Sequence, residues 1–206
     1  SDDNGLVLPP NLAPIQVVIV PIFKTDEEFE KITENVINLV SQFKNLSISV
    51  KYDDRTTQKP GFKFAEWELK GVPVRIAVGP KDIEYGTFEV ARRDTLTKEV
   101  IAKEEIVNYI KELLESIQND LFNKALDFRN KHITEVNSFE EFKEVLENKN
   151  GFISAHWDGT SETEEKIKDL TKATIRCIPL DRKEQMGKCV FSGENSSGRV
   201  LFAKAY

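Results

Sequence analysis

The sequence predicts an α/β domain, with a mixed sheet flanked by helices, followed by a small α+β domain. Short β-branched runs alternate with segments of helical periodicity between residues 15 and 92. A long amphipathic helix is predicted over 103–131, and further short elements follow it. We therefore assign 13–130 to the first domain and 131–206 to the second. Residues 1–12, with two consecutive prolines, are interpreted as the end of a preceding domain or a linker from it.

Local patterns predict the elements of the first domain that precede the long helix. In order, they are a strand over 15–22, a helix over 25–43, a strand over 46–50, a helix over 60–70, and strands over 72–78 and 87–92. The first strand is a nearly continuous β-branched run, and Thr25-x-x-Glu28 is a capping box that begins the first helix. Pro60 and Gly71 bound the second helix, as proline and glycine commonly do.

The second domain shows a similar alternation on a smaller scale. Its predicted elements are a helix over 138–146, a strand over 152–156, a helix over 160–170, and strands over 173–178, 189–191 and 200–203. The first of these helices opens with another capping box, Ser138-x-x-Glu141.

Composition excludes several classes of protein. Of the 206 residues, 39% are hydrophobic and 31% are charged, a balance typical of a folded globular chain. No apolar run approaches the roughly 20 residues of a membrane-spanning helix, so no membrane partner is expected. Two cysteines are too few for a disulfide framework and indicate a reducing compartment, so we expect a cytoplasmic protein.

The net charge of −6 argues against general nucleic-acid binding, but the charge is unevenly distributed. Residues 51–100 contain ten Lys and Arg against nine Asp and Glu, whereas the rest of the chain is strongly acidic. A locally basic segment can still bind a nucleic acid at one site, where base contacts supplement phosphate attraction.

Common catalytic motifs are missing from the sequence. It contains no glycine-rich phosphate loop, no GxGxxG, no GxSxG and no HExxH. Cys177 and Cys189 are twelve positions apart without a CxxC, and His132 and His156 offer little for a nucleophile–base pair. An enzyme acting alone, with a small-molecule pocket at the strand ends, is therefore an alternative without a supporting motif.

Residues 53–94 hold the densest mixture of charged and aromatic side chains. Lys63 and Trp67 share a helix face, Arg75 lies in the middle of the next predicted strand, and Lys81 follows that strand. Carboxylates can accept hydrogen bonds from guanine N1–H and N2–H, cations can donate to guanine O6 and N7, and aromatic rings can stack on unpaired bases. The same residue types also fit a solvated amphipathic helix with a core Trp67, so residue types alone leave both interpretations open.

Longer segments resemble a known family. The strings GLVLPP, LAPIQVVIVPI, KPGFKFAEWELKGVPVRIAVGPKD, ALDFRNKH, ATIRCIPL and RVLFAKAY occur in this order. Together they closely resemble the C-terminal half of prolyl-tRNA synthetases of the archaeal/eukaryote-like type. The resemblance implies a class II synthetase-type anticodon-binding domain followed by the family's C-terminal domain. The catalytic domain, which uses ATP and Mg, would lie upstream, so this chain alone is expected to be inactive and to hold no cofactor.

The resemblance also implies anticodon-binding residues. Proline tRNAs carry GG at the second and third anticodon positions, and the family contacts them from positions occupied here by Glu68, Arg75 and Lys81. Lys98 is a less certain equivalent of a further family lysine. To these we add three candidates on residue type, as phosphate or stacking contacts: Arg55, Lys63 and Phe64.

The second domain departs from the family pattern. Many members hold zinc through four cysteines, whereas this chain has Trp157, Thr163, Cys189 and Ser192 near those positions. One thiolate cannot hold a structural zinc ion, so we expect a domain without metal. The family's C-terminal tyrosine corresponds to Tyr206, which we expect to be disordered without the catalytic domain.

The expected partners are the anticodon loop of proline tRNA and the catalytic domain of a longer parent chain. The resemblance implies that the parent is a homodimer joined mainly through its catalytic domain, so this chain is expected to be a monomer. The alternative is a structural module that supports the catalytic domain or the dimer without binding tRNA by itself.

Overall fold

The computed structural model describes residues 1–180, 182 and 184–204. The chain divides into two compact units, Ser1–Asn123 and Lys124–Tyr206. The division falls inside a long helix, a few residues before the predicted boundary at 130/131. Tyr206 lies outside the described residues.

The first unit contains one five-stranded mixed sheet. Its strands are β1 (Val17–Pro21), β2 (Val50–Tyr52), β3 (Val74–Val78), β4 (Thr87–Arg92) and β5 (Lys98–Ala102). They are ordered β2-β1-β3-β4-β5. β1 runs parallel to β2 and β3, whereas β3, β4 and β5 are antiparallel neighbours. The predicted mixed α/β sheet is therefore confirmed.

Four helices flank this sheet. They are α1 (Asp26–Asn45), α2 (Pro60–Leu69), α3 (Pro80–Tyr85) and α4 (Ile106–Lys131), the last of which continues into the second unit. The predicted cap of α1 is present, because the Glu28 N–H donates to Thr25 Oγ1 at 3.3 Å. α1 and α4 bury the larger apolar core against one face of the sheet, and α2 buries a smaller cluster against the other.

The strand alternation decides which side chains can form a surface site. Val74, Ile76 and Val78 of β3 point into the larger core, so Arg75 lies on the opposite face, which α2 covers. In the cross-strand register, Arg75 pairs with Ala91 of β4 and Ala91 pairs with Lys98 of β5. These three residues therefore share the α2 face, and the β4–β5 part of that face is more open to solvent.

Some elements differ from their predictions. The strand predicted over 46–50 is displaced to β2, because α1 continues to Asn45 and Ser47 adopts a left-handed conformation with φ 60°. α3 and β5 are not predicted at all. α3 is a six-residue helix after a glycine–proline pair, and β5 begins with charged residues, so neither has a strong apolar period.

The N-terminal segment packs on the end of α2 within the same unit. The Leu6 N–H donates to the Leu69 carbonyl at 3.1 Å. Gly5 has a φ of 128°, and a Cβ there would lie 2.5 Å from the Leu69 Cα, so glycine is required by both conformation and space.

The second unit is a four-stranded sheet with two helices and a small hairpin. Its strands are β6 (Ile133–Glu135), β7 (Phe152–His156), β8 (Ala173–Cys177), β9 (Gly187–Lys188), β10 (Asn195–Ser196) and β11 (Arg199–Lys204), and its helices are α5 (Phe139–Asn148) and α6 (Ser161–Thr171). The sheet order is β6-β7-β11-β8, and β9 and β10 form the hairpin. The predicted strand over 189–191 instead belongs to the turn between β9 and β10.

Among the described residues, no helix is both long enough and apolar enough to cross a membrane.

Candidate nucleic-acid interface

A cleft opens on the α2 face of the first unit, beside α2 and the β4–β5 hairpin. Three of the predicted site residues line it: Glu68, Arg75 and Lys98. Leu96, at the hairpin turn, also lines it and is exposed. The cavity volume is about 50 Å³, which is room for roughly one or two waters. The cleft can therefore accept the edge of a base but not a whole nucleotide.

Arg75 is the most deeply placed cation of the cleft. It lies on β3, the middle strand of the five-stranded sheet. Its side chain is 6% exposed, and its Nε has no hydrogen-bond partner in the part of the chain that the structure describes. Burial lowers the pKa of Arg75, and the charges of Glu89 and Glu68 offset only part of this effect. A buried cation with an unsatisfied N–H favours a ligand that brings an acceptor.

Phe64 supports this guanidinium from α2. The Cζ atom of Arg75 lies 3.7 Å from the centre of the Phe64 ring, a close cation–π contact. Phe64 is half-buried against the small cluster that contains Val18 and Val20. Phe64 is predicted to be a phosphate or stacking contact. In the structure, its ring is covered by the guanidinium of Arg75. Phe64 thus positions the arginine.

Glu68 supplies the carboxylate on the α2 side of the cleft. No hydrogen bond or ion pair engages its side chain among the described residues, so both oxygens can accept from a ligand. Its backbone carbonyl accepts from Arg93 Nε at 3.0 Å, and Arg93 also makes a bidentate contact to Asp2 at 2.6 and 2.8 Å. Arg93 therefore fixes the end of α2 and the N-terminal segment together.

Glu89 also contacts the cations of the cleft, although it is not among the residues predicted from the sequence. Its Oε1 lies 3.4 Å from Arg75 Nη1 and 3.3 Å from Lys98 Nζ. Glu89 is diagonal to both cations in the β3–β4–β5 register, which is why the three meet. The signal that could have found it is the alternation of β4, where Phe88 and Val90 point into the larger core and Glu89 points to the face that carries Arg75. Its contact with Lys98 also requires β5 and its register.

The structure corrects the prediction that Lys63 offers a cation to phosphate, and it shows Arg55 paired with protein carboxylates. Lys63 is 1% exposed, and its Nζ donates to the Asp53 carbonyl at 2.9 Å. Arg55 is bidentate to the Asp53 carboxylate at 2.6 and 2.8 Å and also donates to Glu66 at 2.7 Å. Lys63 is therefore closed to a phosphate, whereas Arg55, with a side chain that is 40% exposed, stays a predicted contact.

Asp53 is the centre of this second cluster. Its carboxylate is buried and also accepts from Trp67 Nε1 at 2.8 Å. Burial opposes ionisation, but the hydrogen bonds from Arg55 and Trp67 outweigh it and hold the pKa of Asp53 well below its usual range. The cluster anchors α2 to the end of β2 and so positions the helix that carries Phe64 and Glu68.

Lys81 lies apart from the cleft. It is exposed in the first turn of α3, beyond the end of β3, and does not line the cavity. From Arg75 to the end of β3 is about 10 Å at the usual rise per residue. Lys81 is thus separated from the group of side chains around Arg75.

In the second unit, a polar cluster stands where the family resemblance implies zinc ligands. Asp158 Oδ2 accepts from Thr163 Oγ1 at 2.7 Å and from Ser192 Oγ at 2.6 Å, while Cys189 is buried nearby in the chain. Within residues 1–180, 182 and 184–204, no group of three or more His, Cys, Asp or Glu could hold a metal ion. The expectation of a domain without metal stays a prediction.

The first unit combines a five-stranded mixed sheet with a cleft that Glu68, Arg75 and Lys98 line, and comparisons with known proteins define its class. Residues 16–113 match the family profile described as "Anticodon binding domain". Residues 139–206 match the profile described as "Prolyl-tRNA synthetase, C-terminal".

Whole-chain comparisons are consistent with both matches. The chain is 78% identical to a proline–tRNA ligase of Flavobacterium psychrophilum and 77% identical to one of Flavobacterium johnsoniae, in each case over its full length and 42% of the relative. It also superimposes, with a TM-score of 0.89 and 36% identity, on a crystal structure of prolyl-tRNA synthetase from Cryptosporidium parvum complexed with L-proline and AMP, covering 100% of this chain and 43% of that one. The chain belongs to the prolyl-tRNA synthetase family, and it spans less than half the length of these relatives.

Proposed function

We propose that this chain recognises the anticodon loop of proline tRNA through the cleft beside α2. The observation that carries the proposal is the state of Arg75, a buried cation stacked on Phe64 with an N–H that lacks a partner among the described residues. Across the cleft, the carboxylate of Glu68 has no hydrogen-bond or ion-pair partner in the part of the chain that the structure describes. A cation and a carboxylate facing one small cavity form a complementary pair for the edge of a guanine.

The chemistry of guanine matches these groups. Its O6 and N7 accept hydrogen bonds, as the Arg75 guanidinium requires, and its N1–H and N2–H donate, as the Glu68 carboxylate requires. Because the cavity is small, the base would insert its Watson–Crick edge, which carries O6, N1–H and N2–H, while N7 and the rest of the ring stay nearer the surface. Lys81, beyond the end of β3, would contact the second of two consecutive guanines or its phosphate.

The rest of the activity follows as part of the same proposal. A catalytic domain outside this chain would use ATP and Mg to attach proline, and this chain would supply tRNA selection without holding a cofactor. We further propose that the parent is a homodimer in the cytoplasm, and that this chain alone is monomeric and free of zinc. The family relationship supports these statements apart from the absence of zinc, which rests on Thr163 and Ser192 standing beside Cys189 where many members have cysteine ligands.

A supporting role for an upstream domain is the second candidate. The anchoring of residues 1–6 favours it, because the bidentate contact of buried Arg93 to Asp2 ties this segment to α2. Such a contact would fix the orientation of an upstream domain relative to α2. This role is compatible with tRNA binding, but by itself it predicts no preference for any anticodon.

Fluorescence anisotropy with labelled hairpin RNAs separates the two candidates. One hairpin carries the proline anticodon with GG, and a matched hairpin carries AA at those positions. Wild-type protein should prefer the GG hairpin by about 1–3 kcal/mol for each lost base contact. Arg75→Gln should abolish most of this preference, whereas Lys31→Gln, an equal charge change on exposed α1, should retain it. Equal affinity of the wild type for both hairpins would refute anticodon recognition.

A further inference from the structure

Glu89 is the internal counter-ion of the cleft. A single oxygen, Oε1, serves both Arg75 and Lys98, and both contacts exceed 3.2 Å, the outer range of a normal N–H···O hydrogen bond. Its side chain is 36% exposed, against 6% for Arg75. Glu89 thus gives Arg75 partial charge compensation from the solvent side without fully satisfying its hydrogen-bonding groups.

The position of this oxygen matters because it is an acceptor directed at the same cation that a guanine would use. Arg75 Nη1 is engaged by Glu89, and Nε is unpaired, so a base that brings two acceptors competes with the carboxylate. Glu68 has no such engagement in the described part of the chain. The carboxylates of Glu68 and Glu89 therefore differ. Glu68 is available to a ligand, and Glu89 pairs with the cations when no ligand is bound.

We propose that Glu89 is an intramolecular competitor that sets the affinity of the anticodon site, which rests on the proposed function. In the chain without RNA, Glu89 holds Arg75 and Lys98 in the cleft. When a guanine edge enters, its acceptors replace the carboxylate at Arg75, and Glu89 turns to solvent with its charge intact. The competition weakens binding of the correct loop and so favours its release.

The proposal makes an unusual prediction, because removing the negative charge of Glu89 should tighten RNA binding. Glu89→Gln keeps the shape and removes the charge that Arg75 and Lys98 attract. The GG hairpin should then bind about three- to tenfold more tightly, as expected for loss of one nearby repelling charge. The AA hairpin should change no more than it does in the control, because adenine presents a donor where guanine presents O6.

The control is Glu30→Gln, the same change of net charge on exposed α1, across the sheet from the cleft. Glu89→Thr, which also removes the charge and suits a strand, repeats the test if the glutamine variant does not fold. A gain for the GG hairpin beyond the control supports the proposal. Weaker binding, or a change equal to that of Glu30→Gln, overturns it. If neither wild type nor variant distinguishes GG from AA, the proposed function itself has failed.

Discussion

The Arg75 guanidinium carbon lies 3.7 Å from the centre of the Phe64 ring, so a strand residue of the sheet is stacked on a helix residue eleven positions earlier. This pair joins α2 to the middle strand at the floor of the cleft. It explains how a cation that is almost fully buried is held in one orientation. The orientation leaves its Nε without a partner among the described residues.

The first prediction concerns this stacked pair. Phe64→Leu should weaken the GG hairpin and lower the free energy of unfolding, because the ring face that stabilises the guanidinium is lost. In a double-mutant cycle with Arg75→Met, urea denaturation should give a coupling energy of about 0.5–2 kcal/mol. Strictly additive single effects would mean that the contact does not contribute.

The second prediction concerns the buried carboxylate under α2. Asp53→Asn should lower the free energy of unfolding by about 3–5 kcal/mol, because Arg55 and Lys63 would lose their buried counter-charge. Asp54→Asn, at the exposed neighbouring position, should stay within about 0.5 kcal/mol. Similar losses for both variants in urea denaturation would contradict the assignment of Asp53 as the anchor.

Asp53 also gives a pH dependence of defined sign. Its folded pKa lies below the unfolded value of about 3.9. Its contribution to stability is therefore complete above the unfolded pKa and is lost as the pH falls through the folded pKa. The acid limb of the stability curve should be shallower in Asp53→Asn than in Asp54→Asn.

The third prediction concerns His156 in the second unit. Its imidazole is buried, with Nδ1 3.1 Å from Ser196 Oγ. Burial, aided by the nearby charge of Arg199 and opposed by Glu135, lowers the pKa of His156. The unfolded chain then binds the proton more readily, so stability should rise with pH from the folded pKa to about 6.5.

Thermal unfolding between pH 5 and 7 tests this dependence. His156→Gln should flatten the rise in the transition of the second unit, and His132→Gln should leave it in place. If the slope survives in His156→Gln, another group is responsible for it.

The fourth prediction concerns the Asp158 cluster. Three hydroxyl groups and a backbone N–H donate to its carboxylate, from Thr160, Thr163 and Ser192, and these bonds outweigh burial and lower the pKa of Asp158 to about 2. Asp158→Asn should lower the free energy of unfolding of the second unit by about 1–3 kcal/mol, and with it the melting temperature. The reason is that the cluster links α6 to the β9–β10 turn. Asp169→Asn, on the exposed surface of α6, is the matched control.

The same cluster predicts the response to metal removal. Incubation with a strong chelator should leave the melting temperature of wild type unchanged, since Cys189 is the one cysteine at the implied zinc positions and Thr163 and Ser192 stand at two of the others. A marked drop on chelation, reversed by added zinc, would show that the domain depends on metal after all.

The sequence was sufficient for the fold class and for the main polar residues of the cleft. Glu68 and Arg75 lie in segments with clear caps and alternation, so their faces follow from local pattern. The contact of Glu89 with Lys98 could not be found in the same way, because it depends on β5, a strand with a charged start and no apolar period. Lys63 was misassigned for a related reason: its partner Asp53 is buried only through the packing of α2 on the sheet. Both errors concern long-range pairings that local periodicity does not contain.

The most direct test of base recognition is a double-mutant cycle that combines substitution of Glu68 with removal of the guanine N2 amino group. Inosine replaces guanine at the second or the third anticodon position of the hairpin, which removes that amino group and leaves the other edges intact. At one of the two positions, inosine should weaken binding to wild type about fivefold or more but have no further effect on Glu68→Ala, while Glu30→Ala behaves as wild type. If the losses of binding free energy from inosine and from Glu68→Ala are additive at both positions, Glu68 does not contact guanine and the account is contradicted.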